Sequence, residues 1–249
     1  DYTPSGANIY QANWLMETML NEGGTADPRI RYYFYRQTDA TPGADADPDE
    51  ERLACSLAQP PQHYVDGGFT YCSVANGYWG RSHGNDEGTP PDNFFRTAVG
   101  VYPAGGRFDD NSFDNVGLGL GGGGAGIEPM MMSSFVDFML AEAALELGTT
   151  GDARAYLEAG IRNSIETVVD FRPDLVDPTF EPTSGEIDDY VAEVLADYDA
   201  ASNDDKLNII ADEYWIALYG NGIEAYNTYR RTGKPDNLQP LLREDTDRF

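Results

Sequence analysis

Apolar positions follow two different rules along this chain. In the second half they recur at helical spacing. Phe135, Phe138, Met139, Ala143 and Leu147 make one stripe between Pro129 and Gly148, which predicts a helix over 129–147 closed by the glycine. Leu157, Ile161, Ile165 and Val168 make the next, with Asp152 as its N-cap. Thr183 and Glu186 stand at capping-box spacing before Ile187, Val191, Val194 and Tyr198. Asn203 is placed to cap a helix carrying Leu207, Ile210, Tyr214 and Leu218, which breaks at Gly220-Asn-Gly222. A last helix over 223–232 stops at Gly233, ahead of Pro235.

The first half lacks that period. Trp14, Leu15 and Met19 predict one helix over 9–20, ended by Gly23-Gly24. The aromatic, β-favouring run Ile30-Arg-Tyr-Tyr-Phe-Tyr-Arg36 predicts a strand or extended segment. Residues 39–51, rich in Asp, Ala, Pro and Gly, read as a solvated loop. From about 59 to 127 the sequence is irregular and ends in Gly117-Leu-Gly-Leu-Gly-Gly-Gly-Gly-Ala-Gly126. A loop-rich stretch this long is expected to be a binding or docking surface rather than a connection.

Charge changes the picture next. The 249 residues carry 43 acidic against 16 basic side chains, a formal charge of −27. That excludes nucleic acid as a direct partner, because phosphate binding needs a basic patch, and an anionic membrane surface would repel it. Only Lys206 and Lys234 are lysines; an acidic, lysine-poor surface suits a saline medium as well as plain solubility. Thirty aromatic residues (11 Phe, 16 Tyr and 3 Trp) argue for a folded core. Cys55 and Cys72 lack the spacing of a zinc site and are either a disulfide or two small buried hydrophobes.

Candidate chemistry is sparse. The glycine run has no Lys-Ser/Thr to complete a phosphate loop. His63 and His83 are the only histidines, and no nucleophile elbow accompanies them. Asp109, Asp110 and Asp114, like Asn85-Asp86-Glu87, offer oxygens suited to a structural calcium but lack EF-hand spacing. The loop region interleaves rings with polar groups: Tyr71, Tyr78 and Trp79, then Arg81, His83 and Asp86. Flat rings stack on sugars or peptide side chains while polar neighbours bind hydroxyls or amides, so these six are the ligand-binding candidates; the same rings could equally pack the loops onto the helices. A carboxylate pair in this region, as in an extracellular glycoside hydrolase or other carbohydrate-active enzyme, is the alternative reading.

Several runs in order resemble one family. Tyr78-Trp-Gly-Arg-Ser-His-Gly84, Gly88-Thr-Pro-Pro-Asp92, Arg96-Thr97, Gly100-Val-Tyr-Pro-Ala-Gly-Gly-Arg-Phe-Asp109, Gly124-Ala-Gly-Ile127, Phe138-Met-Leu-Ala-Glu-Ala-Ala-Leu145 and Ala217-Leu-Tyr-Gly-Asn-Gly-Ile-Glu-Ala-Tyr-Asn-Thr-Tyr-Arg-Arg-Thr-Gly-Lys-Pro235 are similar to the signature of the SusD/RagB-like nutrient-binding outer-membrane lipoproteins of Bacteroidota. The likeness runs from Asp27-Pro28-Arg29 to Pro240.

The resemblance implies a mostly α fold, with tetratricopeptide-like helix pairs, a long loop-rich irregular region and few short strands. Within it, residues 1–38 form a helix plus an extended segment, 39–127 the loop-rich face for ligand or transporter, and 128–249 the helical hairpins, all in the C-terminal portion of a single domain. It also implies a non-catalytic, lipid-anchored protein on the extracellular face of the outer membrane, which captures an oligosaccharide or peptide for a SusC-like TonB-dependent transporter. Members of this family are roughly twice this length, so the N-terminal half and its lipidated cysteine are expected outside this chain. No cofactor is implied beyond the possible calcium. Export makes a Cys55–Cys72 disulfide the expected state. Gly220, Asn221, Gly222, Glu224, Arg230 and Arg231 are expected to be structural: the glycines as tight turns, Asn221 and Glu224 fixing the helix hairpin, and Arg81, Arg230 and Arg231 pairing to buried carboxylates or carbonyls.

Overall fold

A computed structural model describes residues 2–3, 6–7, 9–39, 59–85, 95–117 and 119–242. The predicted loop at 39–51 therefore lies, but for Asp39, outside the described residues, as do Cys55 and Asp86 among the candidates. Helices dominate: α1 (Asn13–Leu20), α2 (Ile30–Tyr33), α3 (Gln62–Gly67), α4 (Ser133–Leu147), α5 (Ala153–Val169), α6 (Ser184–Ala200), α7 (Asn203–Ala217) and α8 (Gly222–Thr232). The strands are two residues each: β1 (Tyr2–Thr3) pairs antiparallel with β2 (Gly6–Ala7), and β3 (Phe34–Tyr35) with β4 (Ala98–Val99) in the register Phe34 to Val99.

Local chemistry sets the helix ends. Asp152 accepts from the Arg154 amide at 2.9 Å and opens α5. Thr183 and Glu186 form a complete capping box at α6, with both reciprocal bonds made. Gly148 and Gly233 close α4 and α8 in the left-handed conformation. The cap of α7 is Ser202 rather than Asn203, its hydroxyl accepting from the Asp205 amide. Asn21, not the Gly pair after it, ends α1.

The run expected as a strand starts as a helical turn instead. The Asp27 carboxylate accepts the Arg29 amide at 2.8 Å and the Asp27 carbonyl accepts that of Ile30, which commits Ile30–Tyr33 to a turn of helix before Phe34–Tyr35 extends. Tertiary contact here overrides β propensity. The α4 stripe is also shifted: Ser134, Phe135, Phe138 and Ala141 are buried, while Leu147 is 78% exposed.

Two apolar clusters make the core. The hairpins α4–α5 and α6–α7 pack on each other through Phe135, Phe138, Leu157, Ile161, Ile165, Val191, Ile210 and Tyr214. The second cluster lies under the loops and gathers Trp14, Met16, Met19, Tyr32, Tyr33, Phe34, Tyr78, Tyr102 and Phe108. Val169 and Trp215 touch both. Tyr219 stacks on Tyr33 at 4.3 Å between ring centres, and the Tyr33 hydroxyl donates to the Ile216 carbonyl at 3.1 Å, so the loop-rich half is fastened to the end of α7.

Candidate functional site

The loop-rich face is built on α1. Asn13, fully buried, accepts the Gly80 amide at 2.7 Å with its carbonyl oxygen and donates to the Cys72 carbonyl at 3.1 Å. Backbone bonds Asn13 to Arg81 (3.0 Å) and Arg81 to Gln11 (2.9 Å) lay the 78–81 strip along the start of the helix. Gly80 is required there, because a Cβ would meet the Gln11 carbonyl oxygen at 1.9 Å. The other side of the face is a strap over 237–242. Its carbonyls accept from Trp14 (Asn237, 3.0 Å) and Tyr64 (Pro240, 2.8 Å), and the rings of His83 and His63 bond those of Gln239 (2.9 Å) and Leu241 (3.0 Å).

Within this frame the ring candidates are mostly interior. Trp79 is 2% exposed, and Tyr78 is as deeply buried. The Arg96 guanidinium lies 4.9 Å from the Trp79 ring and 5.1 Å from the Tyr10 ring, and that of Arg81 lies 3.9 Å from the other partner of the stack, Tyr10. The result is a cation–π ladder of Trp79, Arg96, Tyr10 and Arg81. Arg96 also donates to the Gly80 carbonyl. Arg36 covers Tyr78 at 4.9 Å, and burial, then the nearby Asp109 carboxylate, pushes the Tyr78 hydroxyl well above its usual range. In this arrangement Tyr78 and Trp79 are covered by arginines and pack the loops onto the helices, the alternative open to rings in this region. Tyr71, packed on Trp79 and edge-on to Tyr64 at 6.3 Å, is half-buried, and His83 is partly exposed. Phe95, next to Arg96 and 51% exposed, is a surface ring that the motifs do not single out.

The oxygen-rich run is arranged around arginines. Asp109, fully buried, takes Arg36 Nε at 2.6 Å and lies 3.7 Å from Arg31, while Arg107 reaches Asp114 at 3.1 Å and Asp110 at 3.9 Å. Arg36 hydrogens bond both Asp109 oxygens and Arg107 bonds one oxygen of Asp114, while Asp110 accepts the Ser112 amide. Among the described residues, no group of three or more His, Cys, Asp or Glu side chains converges as a metal site. Cys72 is disulfide-bonded.

The Gly220-Asn-Gly222 corner is a docking turn. Gly220 has φ +96°, and a Cβ on it would press on Pro103 and Pro129. Asn221 caps α8 through the Glu224 amide (3.1 Å) and donates to the Pro129 carbonyl (3.0 Å), and Gly222 is the first helical residue. Arg231 pairs with Glu142 on α4. Arg81 donates to the Asn85 carbonyl at 3.4 Å and lies over the Tyr10 ring, while Arg230 lies over Tyr226 at the surface. Away from this face, a cleft of about 420 Å³ is lined by Thr25, Asp27, Arg31, Phe180, Glu181 and Glu186 among others.

Helical hairpins beneath an irregular face are the architecture of SusD-like proteins. A solved SusD homologue from Bacteroides fragilis NCTC 9343 superposes with TM-score 0.51 at 18% identity, over 91% of this chain and 40% of that one. Residues 128–247 match the SusD-like family model, described as SusD and RagB outer membrane lipoprotein. Two further solved structures are similar: a SusD-like protein titled Bacteroidetes AC2a (27% identity, TM-score 0.37, 45% of this chain and 22% of that one), and a chitin-binding protein (20%, 0.47, 95% and 40%). The chain therefore spans well under half the length of these structures. No curated protein matches the sequence.

Proposed function

We propose that this chain is the C-terminal part of a surface nutrient-binding lipoprotein, which captures an oligosaccharide or peptide and passes it, unmodified, to a TonB-dependent transporter in the outer membrane. The observation that carries the reading is the SusD-like domain at 128–247, set beneath a loop face that side chains hold rigid. A preorganised face binds without a further ordering cost. Ligand contact is assigned to the rings that reach the surface, Tyr71 and Phe95, with His83 beside them; Trp79 acts from below by holding Tyr71 and Arg96 in place. An anchor outside this chain would hold the acidic surface outside the cell.

The test uses the full-length protein on glycan and peptide arrays. Binding without turnover, together with co-purification of an outer-membrane barrel, is the expected result. Replacing Tyr71 with Ala should weaken binding about tenfold, the scale of one lost stacking contact. Hydrolysis of a bound glycan, lost on replacing a single Asp or Glu, would overturn the proposal.

A further inference from the structure

The segment 27–29 inserts a charged cluster between three helices. Arg29 is fully buried. Its Nε and Nη2 donate to Asp27 at 2.9 and 2.6 Å, Nη2 also to Glu213 Oε2 at 3.0 Å, and Nη1 to Ser164 at 2.9 Å. The Tyr190 hydroxyl lies 2.6 Å from Glu213 Oε1 and 3.0 Å from Asp27 Oδ2. Glu213 and Tyr190 are buried too.

Two counts fail to close if both carboxylates are ionised. The cluster would hold two negative charges against one positive in a site shielded from water, which is costly. The phenol has a single hydrogen, so it cannot make linear bonds to two carboxylate oxygens at once. One added proton settles both. With it on Glu213, the carboxyl O–H donates to the Tyr190 oxygen, Tyr190 donates to Asp27, and Asp27 balances Arg29. Glu213 is the site because Asp27 already accepts three bonds from Arg29, including the backbone amide at 2.8 Å.

We propose that Glu213 is a neutral carboxylic acid in the folded protein, and that this buried proton is a pH-sensitive latch joining the loop-rich half to the helices. The segment it clamps runs directly into α2 and β3, which carry Tyr33 and the β3–β4 pair.

Burial and neighbouring carboxylates raise the two acids, and Arg29 and Lys234 pull against them. On α6, Tyr190, Glu193 and Asp197 face a cavity of about 190 Å³ that Asp212 and Glu213 share from α7. On the α1 side this cavity offers only the neutral Thr18 and Asn21, and α5 contributes Ser164. Asp212 accepts from Asn208 at 2.9 Å, while its Oδ1 is buried with no partner among the described residues. Burial above all lifts Asp212 to about 7, against the pull of Lys234. Burial also raises Glu213 above its usual 4.5, against the pull of Arg29. A carboxyl raised by folding keeps its proton where the unfolded chain has lost it. Stability is therefore greatest at or below the unfolded value and falls as pH rises toward the folded one.

The experiment follows denaturant unfolding of the full-length protein from about pH 5 to about pH 9, where each proton held only by the folded state shifts the folding equilibrium tenfold per pH unit. Asp212→Asn should remove one part of the alkaline decline. Adding Glu213→Gln, which mimics the neutral acid, should remove the rest and leave the double variant more stable than Asp212→Asn alone at the alkaline end. An undiminished slope with uniform destabilisation would overturn the proposal. Should Glu213→Gln fail to fold, infrared spectroscopy of Asp212→Asn at neutral pH still decides: the C=O stretch of a buried protonated carboxyl is expected, and its absence would sink the idea.

Discussion

The helical half and the loop-rich half are held by different means. In α4 to α8 the instructions are local: a side-chain cap opens each of α5 to α8, an apolar stripe faces the core, and left-handed glycines stop α4 and α8. The loop-rich half has few backbone ladders and instead uses side chains to satisfy distant backbone groups, as Asn13 does for Gly80 and Cys72, and Trp14 for Asn237, 223 residues away. Secondary structure built from local signals tolerates the loss of one signal. A face built from single long-range bonds does not, because each leaves a buried backbone group without its partner.

That contrast orders the expected effects of substitution. Arg29→Ala strikes the joint between the halves and strands the buried Asp27 carboxylate, so it should cost about 5 kcal/mol, the upper end for breaking a buried ion pair, seen as a fall in the denaturation midpoint. Trp79→Ala empties the floor of the loop face and should cost about 3–4 kcal/mol. Unchanged stability with lost ligand affinity would return Trp79 to the binding surface and dissolve the distinction between floor and platform. Asn13→Ala removes both ties at α1 for about 2 kcal/mol, and amide exchange should quicken at 72–81 while α5 and α6 stay protected. Thr183→Ala deletes one cap for about 1 kcal/mol, with exchange confined to the first turn of α6. A spread of exchange from Thr183 into the loop face would contradict the division.

Legibility from sequence divides along the same line. Asp152, the Thr183–Glu186 pair, Gly148 and Gly233 were readable because each cause lies within a few residues of its effect. Leu147 was misread since a stripe does not say where its neighbour ends. The interior position of Tyr78 and Trp79 depends on Arg36 and Arg96, whose side chains cover them through tertiary folding. The cluster at Arg29 was invisible for the same reason, its partner Glu213 being 184 residues distant. Nothing in the Asp27-Pro28-Arg29 run itself announces a buried charge.

The strap at 237–242 has a consequence for the order of assembly. Among the described residues it lies furthest in sequence from α1, and Trp14, Tyr64, His63 and His83 all bond to it. A chain emerging from its N-terminus can complete α4 to α7 with neighbours already made, yet the loop face has no far wall until the strap arrives. The loop face thus closes only when the strap docks, and the helices beneath it serve as the template on which it sets.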